Sequence, residues 1–196
     1  MEPFGRSIDG GVRTIGVAVP IPDPWGSQLN DVRAASGDPQ ARLIPSHLTL
    51  LGPTDLAEER LSGIDKHLAA VADGNRPFTL HLRGTGTFRP LNDVVFIAVV
   101  AGISECEQLE RQIRSGPLKR ELRFPYHPHV TVAHDVDSSI GTTRLDRVFA
   151  DLAGFEARFH VASFTLFEHG VDGRWRPQRD FLLGRRDAPG SREDGG

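Results

Sequence analysis

The chain has a single cysteine, Cys106, so it can hold no internal disulfide framework, and one isolated thiol fits a reducing compartment. Long hydrophobic runs are also missing. Nothing approaches the roughly 20 apolar residues that cross a bilayer, and the start, MEPFGRSIDGG, lacks a charged segment followed by an apolar one. No signal peptide and no membrane association are therefore expected, and the expected location is cytoplasmic. Charge of one sign is scarce too: 23 Lys and Arg stand against 26 Asp and Glu, a net charge of −3. That excludes the broad basic footprint of a non-specific nucleic-acid binder, so a phosphate ligand would need a local site. What remains, 38% hydrophobic and 25% charged residues, is the make-up of an ordinary globular protein.

Hydrophobic patterning divides the chain into alternating elements. VRTIGVAVPIP (12–22) reads as a buried strand stopped by prolines, and a helix is expected around 25–36. HLTLL (47–51) reads as a short strand closed by Gly52-Pro53. Asp55 with Glu58 three residues on has capping-box spacing, ahead of a helix through Leu61, Ile64, Leu68 and Val71. Strands are expected at 77–88 and 93–102, a helix at 103–115, a strand at 129–133 and a helix at 142–153. A long strand at 155–170 and a closing strand after the Val171-Asp172-Gly173 turn complete the reading. Cys106 falls in line with Leu109 and Ile113 on one helix, where it reads as a small buried hydrophobe, not a nucleophile. The pattern is a β-α-β-α-β unit twice over, and an offset of 82 residues superimposes the halves. The expected domain layout is a flexible N-terminus over 1–10, one bilobed domain over 11–183, and a disordered tail over 184–196, which is polar and Gly-rich.

At that offset His47 falls on His129 and Thr49 on Thr131, inside SHLTLLGP and YHPHVTVAH. With 8 histidines and ten threonines, roughly 0.4 His-x-Thr patterns arise by chance, so the shared position in the repeat carries the signal. On a strand, positions i and i+2 share a face, so each His shares one with its Thr while Leu48, Leu50, Val130 and Val132 anchor the other. Two such strands side by side would bring two imidazoles and two hydroxyls together. That set suits displacement at phosphorus: one imidazole takes a proton, the other gives one, and the hydroxyls donate to phosphate oxygens.

These residues resemble the two-histidine (2H) phosphoesterases, which include 2′-5′ RNA ligase-like proteins and RNA 2′,3′-cyclic phosphodiesterases. The resemblance spans about 10–183, with GTGTFRP before DVVFIAVV similar to the family's middle hairpin. It implies an α+β fold of two pseudo-symmetric lobes with antiparallel sheets around a central groove. It also implies a metal-independent phosphodiesterase without cofactor, acting on a cyclic phosphate or 2′-5′ linkage of a nucleotide or RNA end. His47 and His129 would be catalytic, and Thr49 and Thr131 would bind the phosphate. No obligate protein partner is implied. Where family members often carry Arg after the second motif, this chain has His134, which a regular strand would turn away from His129.

Other readings remain open. A non-catalytic module could bind RNA or nucleotides in the same groove. His127, His129 and His134 could hold a metal, as imidazoles do for zinc, although Pro128 and the parity of His134 work against it. Phe88, Arg123 and Tyr126 are candidates for the groove rim; Phe88 would either stack on a base or pack in the core. GTGTF at 84–88 precedes a strand, so it reads as a strand distortion and not as a phosphate loop. His67, His81, His160 and His169 read as surface or internally paired residues. Arg174 and Arg176 on the final strand are candidates for phosphate contacts, with a solvated surface as the default.

Overall fold

The structure, a computed structural model, describes residues 11–134 and 141–184. The termini expected to be flexible or disordered lie outside those residues, apart from Gly184. Eight strands form a single curled antiparallel sheet: β1 (Val12–Pro20), β2 (His47–Ala57), β3 (Phe78–Thr87), β4 (Val94–Ala101), β5 (His129–His134), β6 (Glu156–Val161), β7 (Ser163–His169) and β8 (Trp175–Leu182). Four helices cover one face: α1 (Trp25–Ser36), α2 (Leu61–Asp73), α3 (Ile103–Ile113) and α4 (Gly141–Asp151).

The strand order is β6-β3-β4-β5-β2-β1-β7-β8. It reads the same from either end once β1 is exchanged for β4, β2 for β5, β3 for β7 and β6 for β8, so a pseudo-twofold axis runs between β2 and β5. The duplication is thus present, but the two halves are not contiguous. β3 pairs with β4, and β7 returns to pair with β1. The helices exchange as well: α1 packs against β5 and α4, while α3 packs against β2 and α2.

Several expected boundaries move. Asp55 does not cap a helix. β2 runs on to Ala57, a 3-10 turn covers Glu58–Arg60, and the Asp55 carboxylate accepts a hydrogen bond from the Thr14 hydroxyl of β1. The long strand at 155–170 is two strands. It changes sheet edge at Ala162, so that β6 pairs with β3 while β7 pairs with β1 and β8. The helices at 103–115 and 142–153 end two residues early. The GTGTF distortion is present: the β3–β4 register slips between Leu82 and Thr85, where Gly84 sits at φ +67°, a left-handed conformation that suits glycine.

The core fills the space between helices and sheet. Leu48, Leu80, Leu82, Ile97, Val130 and Val132 come from strands, and Leu29, Ile64, Leu68, Leu109 and Ile113 from helices. Cys106 joins them fully buried, and burial pushes its thiol up to about 12, consistent with a packing role. The opposite face of the sheet is left for the groove.

Candidate functional site

β2 and β5 meet at one pair, Leu48 opposite Val130. In an antiparallel ladder that register sets His47 opposite Thr131 and Thr49 opposite His129. Both leucine and valine are fully buried on the helix side, so the two His and two Thr share the open face. The four residues singled out by the repeat are brought together at the pseudo-axis.

Each imidazole is fixed by its own backbone. Nδ1 of His47 lies 2.8 Å from the carbonyl oxygen of Pro45, and Nδ1 of His129 lies 2.7 Å from that of His127. A carbonyl oxygen can only accept, so Nδ1 carries hydrogen in both rings and Nε2 is left for chemistry. Ser46 steadies the first motif: it is buried, and both its N–H and its hydroxyl donate to Oδ1 of Asn30, at 2.7 and 2.8 Å. Around His129 the support is aromatic. Phe88 lies edge-on at 5.0 Å, Phe96 at 5.2 Å, and His127 stacks at 6.3 Å.

Burial pushes His47 down to about 4; the charges of Arg33 and His129 act in the same direction, and the hydrogen bond to Pro45 opposes them. Burial also lowers His129, with His127 adding to the effect and its carbonyl opposing it. Both rings are half-buried, with part of each open to solvent. Both are therefore neutral at pH 7, and a bound anion would raise their proton affinity again.

Cavities flank the quartet. One, of about 180 Å³, is lined by His47, Thr49, Thr131, His134, Arg33 and Trp175 among others. The other, of about 490 Å³, is more apolar and includes Thr49, Phe88, Leu91, Phe124, Tyr126 and His129. Phe88 and Tyr126 thus line the groove. Tyr126 also donates a 2.9 Å hydrogen bond to the backbone oxygen of Thr49, tying the second motif's approach loop to the first motif's strand. Burial holds its phenol well above the usual tyrosine range. Arg123 lines neither cavity: it is exposed, with its guanidinium 5.3 Å over the Phe124 ring.

His134 departs from the parity of a regular strand. Phe96 of β4 faces Thr131 and the adjacent Val95 faces Ala133, so β5 carries one extra residue at Val132. This bulge buries Val132 and Ala133 in succession and returns His134 to the face of His129 and Thr131. β2 has the same device: Ala18 faces Thr49 and Val17 faces Leu51, which makes Leu50 the extra residue. Sequence reasoning also missed Arg33, Asp38, Asn30 and Trp175. The Leu50-Leu51 and Val132-Ala133 doublets were the available hint of the bulges.

Among the described residues no group of three His, Cys, Asp or Glu is placed to share a metal ion. His127 is exposed beyond the strand end. Arg176 at the start of β8 makes a two-pronged ion pair with Asp172, and Arg174 a looser one, both at the exposed β7–β8 turn. His67 bonds the Ile113 carbonyl and His81 bonds Glu156.

A model of the 2′-5′ RNA ligase superfamily matches residues 21–173. A Bacillus cytotoxicus protein named "Putative phosphoesterase" is 30% identical over 148 residues, covering 76% of this chain and 84% of that protein. A Bacillus mycoides protein with the same description is 28% identical over 148 residues. Among solved structures, Escherichia coli LigT in its apo form superposes with a TM-score of 0.64 at 23% identity, covering 88% of this chain and 98% of LigT. The Thermus thermophilus protein TT0787 superposes with a TM-score of 0.55 at 23% identity, covering 87% and 98%.

Proposed function

The chain belongs to the 2′-5′ RNA ligase superfamily, and from that premise we propose that it is a phosphodiesterase working by proton transfer between two histidines. Its substrate would be a 2′,3′-cyclic phosphate or a 2′-5′ phosphodiester on a nucleotide or RNA end. The observation that carries this reading is the β2–β5 register, which sets each imidazole across from the other motif's hydroxyl, with both Nε2 atoms left for chemistry.

In hydrolysis, Nε2 of one imidazole accepts a proton from water as the oxygen attacks phosphorus. The other, protonated at Nε2, delivers its proton to the departing ribose oxygen as the P–O bond breaks. Thr49 and Thr131 donate to the non-bridging oxygens, where charge concentrates in the transition state. The family resemblance suggests His129 as the base and His47 as the acid, while the pseudo-twofold arrangement itself allows either order. The larger arm offers Phe88, Phe124 and Tyr126 as surfaces for a base to stack on. LigT, whose fold this chain shares, has been solved with 3′-AMP, phosphate, NADP+ and ATP, which supports a nucleotide as the ligand.

The test is a panel of 2′,3′-cyclic nucleotides, 2′-5′ dinucleotides and cyclic-phosphate RNA ends, assayed with and without chelator. Turnover that survives the chelator and disappears in the His47→Ala/His129→Ala double variant supports the reading; no turnover on any member of the panel rejects it. The acid's loss is partly rescued by a nitrophenyl phosphodiester, whose leaving group needs little protonation, and the base's loss is not. His47→Ala should therefore be the rescued variant.

A further inference from the structure

The quartet has no fixed positive charge. Two imidazoles without a permanent charge and two hydroxyls would face a phosphodiester that carries a full negative charge in a half-buried groove, and burying an unpaired charge is costly. Among the residues lining the cavity that holds His47, Thr49 and Thr131, one is an arginine, Arg33, and none is a lysine.

Arg33 is an unusual arginine. It is 4% exposed, on α1, and its Nε donates at 2.7 Å to Oδ2 of Asp38, which is itself buried. Oδ1 of Asp38 accepts the backbone N–H of Gln40 at 2.7 Å, which anchors the carboxylate behind the guanidinium. Among the described residues, Nη1 and Nη2 of Arg33 have no hydrogen-bond acceptor. A buried ion pair is weak evidence for stability, because desolvation offsets its attraction, and an apolar pair would fill the same space. The carboxylate is spent on one edge of the guanidinium, and the planar group still lines the cavity. This is an arginine held ready for a second acceptor. Its charge already acts on His47.

We propose that Arg33 is a phosphate-binding residue of this site: its free guanidinium edge takes the non-bridging oxygens of the reacting phosphate, opposite the hydroxyls of Thr49 and Thr131, and Asp38 positions it. This rests on the reading of the quartet as a phosphate site.

The probe is inorganic phosphate, with adenosine as the uncharged comparison, titrated into the full chain and followed by calorimetry. Arg33→Met alone would strand the buried Asp38 carboxylate, so the decisive variant is Arg33→Met/Asp38→Leu, which removes both charges. It should melt near the unaltered protein, weaken phosphate by about tenfold or more, and leave adenosine unchanged. Arg33→Lys should recover part of the phosphate affinity. In the unaltered protein, the Arg33 Nε–H resonance should shift on phosphate titration, a readout that needs no variant to fold. Phosphate affinity within threefold of the unaltered protein in a folded double variant, or a resonance indifferent to phosphate, makes Arg33 structural and overturns the proposal. Phosphate held through Arg33 with no turnover of any phosphodiester would instead leave this inference standing and reject the enzymatic reading.

Discussion

At His47 and His129 the backbone two residues earlier does the work of orienting the ring. Pro45 and His127 each turn a carbonyl onto Nδ1, and the adjacent strand then aims Nε2 into the groove. The hydroxyls two residues on are held by strand parity alone, so their chemical role can be separated from their shape. Thr49→Val and Thr131→Val keep the branched outline and remove one donor each. Each should lower kcat by about 10²-fold with little change in melting temperature; normal turnover in both would make the threonines structural. The lowered proton affinity of both histidines has its own consequence. The unfolded chain takes up protons at these rings near pH 6.5, whereas folded His47 resists until about 4. Below pH 6.5 the unfolded state therefore binds more protons, and stability falls as the pH drops from about 6.5 to about 4. His47→Gln should flatten that part of the melting-temperature profile, by on the order of a few °C at pH 4.5. A profile that is unchanged would mean that the folded imidazole titrates as it does in the open chain. These four residues were legible in the sequence because period-two parity needs only local regularity.

Where regularity breaks, at the scale of single strands, the reading from sequence breaks with it. His134 is five positions from His129, so an unbroken strand would point it into the core side. The extra residue at Val132 restores it to the groove. Nothing in a hydrophobic pattern distinguishes a bulge from two adjacent core residues, because both appear as an apolar doublet. Asp55 failed for a related reason: capping-box spacing is local, but pairing of β2 with β1 runs on through Thr54–Asp55–Leu56 and overrides it. The division of 155–170 at Ala162 depends on which strand each part joins, β3 or β1, and both of those are distant in sequence. The bulge in β5 makes a testable claim. With His134 lining the same cavity as His47 and Thr131, His134→Ala should lower kcat/KM by about tenfold while leaving the melting curve in place. Unchanged kinetics would mean that the side chain plays no part in the groove, as strand parity alone would have it.

Across the whole molecule the exchange of strands and helices links the two lobes more tightly than their single direct backbone pair, Leu48–Val130, would suggest. β3 and α1 arise in the first repeat and build the β4–β5 side; β7 arises in the second and builds the β1–β2 side. Neither lobe can complete its core without chain from the other half, so the lobes should unfold together. The two tryptophans happen to report on opposite sides. Trp25 of α1 stacks on Phe159 of β6 at 5.9 Å, while on the other side of the pseudo-axis Trp175 of β8 packs with Ala18 and Phe167. With excitation selective for tryptophan, Trp25 is the one indole reporter left in Trp175→Phe, and Trp175 the one left in Trp25→Phe. If the exchange welds the lobes into one cooperative unit, each variant's fluorescence transition in urea should coincide with its own loss of circular dichroism, with one midpoint and one slope. Separate midpoints for fluorescence and circular dichroism in either variant would mean that one lobe opens first. The histidine quartet on the seam would then be lost before the fold, with activity falling at the earlier transition.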